Sequence, residues 1–487
     1  MIFGEGVVIS KTNKTRNNLV HIWAVRFHNI ISQTIGVVAV VVLASCGAAV
    51  KRCEEPQLNL PSAFVKDQLD SLTLADMNWW EFYGDEVLGK FITHALENNK
   101  DLLAAAAKVE QMRLGNRISQ SAMYPKLGAS VMADYEVENY TDKGHTQTPQ
   151  FDLKWDLSWE IDLWGNLRWA NQKTAAEYLS TVEAARAMRI TVIAEVATAY
   201  YKLLALENEL LIVDRTLQTR YEEMQQARLR YEGGLTSETV YQQAKVEYAT
   251  TAAMIPSIET KIEVMKTTLQ VLMGEYPDFE LEYARMKVLD REIPTELPLG
   301  LPSDLLTRRP DLRESEQQLK AACAAVGVAY TDRFPRLVLG ISGGWENGSL
   351  TDFFDATYGL AVGKLVAPVF EFGRRKAKYE AAIQAYDAAR LNYEKKVLMA
   401  FKETNDALVT YQNARRATEL KNALRVAALK YVELATFQYK YGDTKYINVL
   451  DAQRRYFDAQ IGLSNAVRDE YLALVLLYKS LGGGWSY

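Results

Sequence analysis

Histidine and cysteine are scarce in this chain of 487 residues, which contains 4 His and 3 Cys. So few side chains argue against zinc ribbons, disulfide scaffolds and His-clustered metal sites, and we expect neither a metal nor a cofactor. Two of the histidines lie in an N-terminal segment that we expect to be removed. Cys53 and Cys323 are expected to be incidental rather than paired.

An excess of positive charge is also missing, because the formal net charge is -5. No basic surface for nucleic acid is therefore indicated. The composition, 48% apolar and 24% charged, excludes wholesale disorder. The length suits two or three ordinary domains or one large repetitive architecture. An acidic soluble protein fits these numbers, but the 27 Tyr, 9 Trp and 15 Phe argue against that simple interpretation.

Residues 1–45 have the order of an export signal. Basic residues precede an uncharged run, Thr34 to Leu43, that is too short to span a membrane as a helix. The run ends in Leu-Ala-Ser-Cys46, which resembles a bacterial lipobox, so Cys46 is expected to become the lipidated first residue of the mature chain. Gly47 favours sorting to the outer membrane. A short buried helix or a retained signal anchor is the alternative.

The strongest signal in the sequence is an internal duplication. Four landmarks recur in the same order, displaced by 208 or 210 residues. They are Asn99 to Leu102 with Arg309 to Leu312, Met123 to Leu127 with Arg333 to Leu337, Leu163 to Arg168 with Glu371 to Lys376, and Tyr231, Gly234, Thr236 and Ala244 with Tyr439, Gly442, Thr444 and Ala452. The mature chain is therefore predicted to be a tandem duplication of about 200 residues per copy. Each copy reads helix, strand, loop, strand, long helix, Gly-containing turn, long helix.

Strict alternation of apolar and polar residues predicts the strands. Every second residue from Phe151 to Leu163 is apolar and the residues between them are polar, which predicts a strand over 151–163. Residues 126–137 alternate similarly, and a polar loop, Glu138 to Gln150, is expected to join the two strands. In the second copy, weaker strands are predicted near 336–345 and 357–367.

The predicted strands are long enough to cross a bilayer, which takes roughly 9 to 11 tilted residues. Three tryptophans on or beside the apolar face, Trp155, Trp159 and Trp164, favour contact with lipid. The alternative is the hairpin of an ordinary soluble sandwich. Because four strands cannot close a barrel around a lumen, several chains must contribute if the strands span a membrane.

The predicted helices are unusually long. Proline is absent from Trp169 to Ile255 and from Arg374 to Tyr487. Two adjacent apolar series repeat every seven residues, one at Val196, Leu203, Leu210, Leu217 and Met224 and the other at Val192, Ala199, Leu206 and Val213. Two seams indicate a helix with neighbours on both sides, as in a curved wall of helices. Such lengths suit a conduit or spacer better than a catalytic domain.

With these features the chain resembles the outer-membrane efflux channel family of the TolC and OprM type. Within it, the chain is similar to the NodT-like lipoprotein branch that partners resistance-nodulation-division pumps. The segments that carry the resemblance span nearly the whole mature chain: Trp79 to Asp85, Ala95 to Leu102, Ser158 to Gly165, Arg308 to Arg313 and Leu450 to Gln453.

The resemblance implies an α+β membrane protein that forms a homotrimer. Each chain would give four strands to a 12-stranded outer-membrane β-barrel and its long helices to a periplasmic α-helical barrel. The expected divisions are a signal peptide (1–45), a lipid-anchored strap (46–81), a first repeat (82–290) and a second repeat (291–487). The protein would lie in the outer membrane of a Gram-negative bacterium and extend into the periplasm.

The mechanism implied is that of a passive exit duct for drugs or other small molecules. An inner-membrane pump and a periplasmic adaptor protein would load the duct. The family's tip turns, which engage the adaptor, match Gly234, Leu235 and Thr236 in the first copy and Gly442, Asp443 and Thr444 in the second. Plain turn chemistry is the alternative explanation for the two glycines.

Gate residues are also implied by the resemblance. Ile447 and Asp451 match positions that narrow the closed periplasmic mouth, and Tyr439 matches a tyrosine that helps fasten the closed tips. Three Asp451 carboxylates around an axis would form an acidic ring that favours cations and opposes closure. Without the resemblance, Asp451 reads as a solvated helix residue and Tyr439 as a packing residue.

Three rival functions fit the sequence less well. No arrangement of nucleophile, phosphate loop or metal ligands supports an enzyme. A lipid-anchored structural coiled-coil protein would share the signal and the heptads but has no need for amphipathic strands of membrane length. A type I secretion exit duct is the alternative within transport, although that branch usually lacks the lipobox and the Arg308 to Arg313 stretch.

Overall fold

The structure is a computed structural model, which describes Cys53, Pro56, Leu58 and the ranges 77–140, 144–277 and 304–483. The expected export signal, Cys46 and most of the expected strap lie outside these residues. The chain forms two compact units. The first contains residues 118–172 and 323–384 together with Cys53, and the second contains the helical segments on either side of these ranges.

The duplication is visible in the order of the elements. The first copy contains α1 (Trp79–Tyr83), α2 (Glu86–Asn98), α3 (Lys100–Ser121), β1 (Lys126–Tyr140), β2 (Gly144–Ile161), α4 (Asn166–Glu232), α5 (Glu238–Ala252) and α6 (Ile255–Leu272). The second contains α7 (Leu305–Arg308), α8 (Pro310–Thr331), β3 (Arg336–Asn347), a short 3₁₀ helix (Phe353–Asp355), β4 (Thr357–Val366), α9 (Arg374–Lys440) and α10 (Tyr446–Ser480). The described part of the chain is mostly helical and contains a four-stranded sheet.

Two details differ from the sequence prediction. The expected loop from Glu138 to Gln150 is largely strand, since pairing of β1 with β2 continues to Tyr140 opposite Gly144. Cross-strand hydrogen bonds override the polar composition there. The second long helix of the first copy is divided between α5 and α6, where Pro256 occupies the first turn of α6 and cannot donate a backbone hydrogen bond. Its counterpart α10 is continuous over 35 residues.

The four strands form one antiparallel sheet in the order β1-β2-β3-β4. Leu127 lies opposite Leu157 on β2, Leu157 lies opposite Ile341 on β3, and Ile341 lies opposite Ala361 on β4. Because side chains alternate between faces, this register places the apolar sets of β1, β2 and β3 on the same face, together with Leu365 of β4. The other face carries polar residues such as Lys154 and Asp156, and on β4 it carries Leu360 and Val362.

The second unit has an aromatic and aliphatic core built where α1 and α2 pack on the middle of α4, on α6 and on the second half of α10. Tyr200 and Leu203 of α4, Leu88 of α2 and Leu269 of α6 are fully buried there. Asp85 fixes the start of α2 because its carboxylate accepts from the backbone N–H groups of Val87 and Leu88. The Tyr200 hydroxyl donates to the same carboxylate at 3.1 Å.

One contact in this unit is repeated between the two copies with different chemistry. The Asn99 side-chain amide donates to the Leu272 carbonyl at 2.8 Å, where α6 ends. Its counterpart Arg309 donates to the Ser480 carbonyl at 3.1 Å, where α10 ends. Positions 272 and 480 are 208 residues apart, the repeat offset found in the sequence. The duplicated sequence therefore builds duplicated tertiary contacts that satisfy helix C-terminal carbonyls.

Cys53 and Cys323 form a disulfide, with their Cα atoms 5.9 Å apart. The expectation that these cysteines are incidental is therefore wrong. They are 270 residues apart in sequence, and only the fold brings Cys53 to Cys323 on α8. None of the helices in the described ranges has the length and apolarity of a membrane-spanning helix.

We expect this disulfide to form in the exported protein, since the periplasm is oxidising. In protein unfolded without reductant, Cys53 and Cys323 should resist alkylation, and both should react after reduction, as read by peptide mass. Replacing both with Ser should lower the free energy of unfolding by about 2–4 kcal/mol, because the cross-link restricts the unfolded chain. Alkylation of either cysteine before reduction would contradict the assignment.

Candidate functional site

The two helix-turn-helix ends have the same backbone geometry. Gly234 and Gly442 have φ values of +72° and +80°. The Leu235 N–H donates to the Arg230 carbonyl at 2.8 Å, and the Asp443 N–H donates to the Gln438 carbonyl at 2.9 Å. These are the bonds of a helix ending in a left-handed residue, a conformation that favours glycine. A Cβ at either glycine would meet no atom within 4 Å, so the conformation, not space, requires glycine.

The side chains at the two turns differ in exposure. Leu235 is 76% exposed, and Asp443 is also exposed. The Thr444 hydroxyl accepts a hydrogen bond from the Asn448 amide at 2.6 Å, which steadies the start of α10. The Thr236 hydroxyl is buried and has no hydrogen-bond partner among the residues that the structure describes. Each turn therefore offers an apolar or acidic tip on a fixed backbone.

A contact between the two helical hairpins lies one turn away from the tips. The Arg230 guanidinium, near the end of α4, donates to the Tyr439 hydroxyl at 3.1 Å. It also lies 5.7 Å from the centre of the Tyr439 ring. Tyr439 in turn packs against Tyr446, at a centroid distance of 5.5 Å. Tyr439 therefore joins α4, α9 and α10, which is the kind of position that a fastening residue needs.

Ile447 and Asp451 lie one turn apart on α10 and so share a face of the helix. Ile447 is 44% exposed. The Asp451 carboxylate pairs with the Arg455 guanidinium at 2.8 Å and accepts from the Tyr431 hydroxyl at 3.4 Å. The Arg455 hydrogen bond lowers the pKa of Asp451 below its ordinary value. The carboxylate is thus held ionised but is locally balanced by a cation.

A buried ionic network lies deeper between the hairpins. Arg220 of α4 pairs with Glu247 of α5 at 2.8 Å, and both side chains are only 8% exposed. Arg220 also donates to the Thr251 hydroxyl at 2.7 Å, and Arg454 of α10 donates to Glu247 at 2.9 Å. Burial lowers the pKa of Arg220 and opposes its charge, while Glu247 acts in the other direction. The network ties three helices of the two hairpins together.

This network is missing from the site predicted by the sequence. A signal for it was present, because Arg220 continues the apolar heptad series of α4, seven residues after Val213 and seven before Ala227. A charge at a seam position normally needs a buried partner. Among the predicted residues, the structure brings Tyr439 into contact with both hairpins and places Ile447 and Asp451 together on α10. Cys46 lies outside the described residues.

No group of His, Cys, Asp and Glu that could hold a metal ion occurs within the ranges 77–140, 144–277 and 304–483. The assembled features are two exposed tip turns, a fastening contact and a buried ionic network. Such an arrangement can hold two hairpins together or release them.

Comparison with known proteins gives the family. Residues 91–275 and 301–483 match the outer membrane efflux protein family. The chain belongs to this family. A probable outer membrane lipoprotein of Salmonella typhimurium, SilC, is 29% identical over 91% of this chain and 97% of its own length. The probable efflux pump outer membrane protein TtgC of Pseudomonas putida is 30% identical over 87% of this chain and 88% of its own.

Solved structures agree with these relatives. The outer-membrane channel OprN superimposes with a TM-score of 0.81 and 26% identity, covering 89% of this chain and 99% of its own. The Neisseria gonorrhoeae MtrE outer membrane channel, in its open state, has a TM-score of 0.79 and 26% identity, covering 89% and 97%. The protein is therefore an outer-membrane efflux channel, which confirms the recognition made from sequence. The family is one of channels rather than enzymes, and its two matched stretches correspond to the two copies.

Glu223, which accepts a hydrogen bond from Gln453, provides a test of the buried network. Burial raises the pKa of Glu223, and the Gln453 hydrogen bond offsets only part of this effect. A carboxyl whose folded pKa is raised contributes stability below its unfolded pKa and loses it as the pH rises through the folded pKa. We expect Glu223→Gln to raise the thermal unfolding temperature near neutral pH and to lose this advantage below about pH 4.

The measurement is thermal unfolding of detergent-solubilised protein, followed by circular dichroism across this pH range. The exposed neighbour Glu222 is the matched control, since Glu222→Gln should change stability little at any pH. A Glu223→Gln variant that is less stable than wild type at neutral pH would contradict this account of the network.

Proposed function

We propose that the protein is the exit duct of a tripartite efflux system and works as a homotrimer. Each chain of the trimer would give its four strands to a twelve-stranded barrel and its long helices to a periplasmic α-barrel. The four-stranded sheet carries this proposal, because β1 and β4 are its edges and neither has a second partner strand in the described chain. In hydrocarbon every backbone N–H and C=O needs a partner, so an open sheet must close with other copies.

The exposed apolar face of the sheet supports contact with lipid. Leu127, Val131 and Leu365 on this face are 73%, 79% and 64% exposed. Exposed apolar surface of this extent marks an interaction site rather than a solvated surface. The opposite face carries charged residues such as Asp156 and Lys154, which suit a water-filled lumen. The strands thus have the two-sided character of a membrane barrel wall.

The helix lengths support the periplasmic part. α4 and α9 each have 67 residues, and at 1.5 Å per residue each spans about 100 Å. Each of these helices has apolar residues for a neighbour on both sides. Six such helices, two from each of three chains, would therefore form the wall of a tube. A duct of this length would reach well into the periplasm from the outer membrane.

The proposed partners follow from the mechanism of a passive duct. A periplasmic adaptor and an inner-membrane resistance-nodulation-division pump would deliver drugs or other small molecules, and the pump would supply the energy. TtgC is named for an efflux pump and CusC of Escherichia coli for a cation efflux system. Cys46 would carry the acyl chains that anchor the mature N-terminus in outer-membrane lipid. The duct itself needs no cofactor.

The periplasmic mouth would be gated by Ile447 and Asp451. Around a threefold axis, three isoleucines give an apolar constriction and three carboxylates a ring of charge. Arg455 pairs with Asp451 within each chain, so repulsion between the three Asp451 carboxylates of the ring is reduced. The Arg230 contact with Tyr439 joins the two hairpins of one chain and would help to keep the mouth closed.

The tip turns are the proposed docking points for the adaptor. The turns consist of Gly234, Leu235 and Thr236 in the first repeat and of Gly442, Asp443 and Thr444 in the second, and they present the exposed side chains of Leu235 and Asp443. An adaptor that packs on Leu235 would bury an apolar side chain that is now in water, which is favourable by about 2 kcal/mol for a fully buried leucine.

We expect single-channel currents in a planar bilayer to report this gate. Wild-type protein should conduct weakly, and the double variant Ile447→Ala with Asp451→Ala should conduct several times more, because the constriction is widened and its charge removed. The experiment tests the duct and the position of the gate together.

Asp469→Ala is the matched control. Asp469 carries the same charge as Asp451 and lies on the same side of α10, about five turns further along the helix. Its replacement should leave the currents unchanged. Equal currents from wild type and the double variant would move the gate elsewhere. An absence of current from every variant would refute the duct.

A further inference from the structure

Because the sequence is duplicated, a residue pair in one hairpin of the sheet predicts the corresponding pair in the other hairpin. Lys126 of β1 pairs with Ser158 of β2. Advancing these positions by the repeat offsets, 210 and 208, gives Arg336 and Val366, which are paired in β3 and β4. The register of the first hairpin therefore predicts the register of the second without a shift. The repeat offsets hold through the strands and not only at the sequence landmarks.

The same transfer can be made for the pairing between the two copies of the repeat. Leu157 of β2 lies opposite Ile341 of β3. Advancing Leu157 by 208 gives Leu365 on β4, and moving Ile341 back by 210 gives Val131 on β1. β4 and β1 are the two edges of the sheet, so the transferred pair can form only between different chains.

We propose that β4 of one chain pairs with β1 of the next so that Leu365 lies opposite Val131, and that Phe372 stacks on Tyr124 across the same boundary. This inference rests on the proposed homotrimer and specifies its register. All ten residues of β4, Thr357–Val366, then face residues 130–139, which all belong to β1. The pairing leaves no residue of β4 without a partner.

The faces of the two strands agree with this register. On the face of the sheet that carries Leu157 and Ile341, β4 presents Leu365 and Ala361, and β1 presents Val131 and Tyr135. Leu365 falls opposite Val131, and Ala361 falls opposite Tyr135. A shift by one residue would join this face of one chain to the opposite face of the next, which carries Lys154 and Asp156, because side chains alternate between faces. The apolar face therefore continues across the boundary between chains.

An aromatic contact provides independent support. Trp164, after β2, stacks on Phe334, before β3, with centroids 4.9 Å apart. Their repeat counterparts are Phe372, after β4, and Tyr124, before β1. Both counterparts are aromatic, and both are exposed, by 91% and 60%. The contact that covers the first pair within one chain is thus available to the second pair only from a neighbouring chain.

The backbone conformation of Phe372 also supports this contact between chains. Its φ of +47° lies in the left-handed region, which a bulky side chain rarely adopts. Such a conformation persists when surrounding structure holds it. Within one chain the ring of Phe372 contacts Phe370, at 4.5 Å, and is otherwise open to solvent. Stacking on Tyr124 of the next chain would supply the missing support.

A polar contact at the β2–β3 boundary within one chain also has a counterpart at the β4–β1 boundary between chains. The Asn166 amide donates to the Val328 carbonyl at 3.2 Å and the Thr331 hydroxyl at 3.0 Å, at the end of α8. Asn166 corresponds to Arg374, and the end of α8 corresponds to the end of α3, whose last turn contains no basic residue. A guanidinium at a helix C-terminus is favourable. Arg374 pairs with Glu371 of its own chain at 2.8 Å but is 70% exposed, so it would also be able to serve α3 of the next chain as Asn166 serves α8.

Cysteine cross-linking of the full-length protein in outer-membrane fractions tests the register. Ala133 and Gly363 are directly opposite in the proposed pairing. Opposed Cα atoms lie about 4.5–5.5 Å apart, within the range of a disulfide. Ala133→Cys with Gly363→Cys should therefore give covalent dimers and trimers on mild oxidation, seen on non-reducing gels. A Cβ at Gly363 meets only ordinary contacts, so the substitution fits the strand.

The matched control is Ala133→Cys with Ala361→Cys, which is displaced by two residues on the same face. Its Cα atoms would lie about 7–8 Å apart and should not cross-link. Cross-linking of the control in preference to the first pair would overturn the register. If neither pair cross-links while light scattering finds three chains per particle, the register is refuted and the duct stands. One chain per particle would refute both.

A double-mutant cycle tests the aromatic contact. Tyr124→Ala and Phe372→Ala should each speed the thermal dissociation of the assembly. Their effects should be coupled by about two- to tenfold in the dissociation rate, as for other aromatic pairs. Phe354→Ala is the control, because Phe354 packs on Trp345 within its own chain and should not couple to Tyr124. Additive effects of Tyr124→Ala and Phe372→Ala would overturn the stacking.

Discussion

The unpaired backbone groups at the two edges of the sheet set the main constraint on this molecule. β1 and β4 each leave one side of a long strand without a partner in the described chain. In hydrocarbon each unsatisfied N–H or C=O is very unfavourable, so these edges must meet other edges. The proposed closure of the sheet by identical chains, which would enclose a lumen, follows from satisfying these backbone groups.

The sheet and the helical tips of the proposed duct are held by different kinds of interaction. Backbone ladders at the sheet are numerous and leave little freedom once they have formed. The helical tips are joined by side-chain contacts instead, such as Arg230 with Tyr439 and the Arg220, Glu247 and Arg454 network. Side-chain contacts can be broken one at a time. A duct that stays closed as a ring in the membrane and opens at its periplasmic mouth needs this division.

The sequence predicted much of this architecture because its signals are periodic. The alternation of Phe151 to Leu163 located β2, and the heptads of Val196 and Val192 located the middle of α4. The disulfide was missed because Cys53 and Cys323 are brought together only by the fold. The two strands of the first hairpin were predicted, but their extension to Tyr140 and Gly144 was missed, because polar composition hides strand segments whose pairing partners supply their stability. Arg220 was missed since a single charge does not interrupt a heptad pattern.

For the site residues too, the sequence could not predict contacts that depend on how the helices pack. The resemblance identified Tyr439, Ile447 and Asp451, but it could not show that Arg455 balances Asp451 or that Arg230 reaches Tyr439 from the other hairpin. Both partners are long side chains whose reach depends on helix packing. Residue identity can be transferred from a family, whereas the local charge balance must be read from the packed structure.

Backbone hydrogen exchange in the solubilised full-length protein tests the central claim most directly. If the edges of the sheet are closed by neighbouring chains, peptides covering Lys126–Tyr140 and Thr357–Val366 should exchange as slowly as those covering Arg336–Asn347, which is paired on both sides. Fast exchange in the two edge strands, with the inner strands still protected, would mean that the edges are open and would contradict the closed duct.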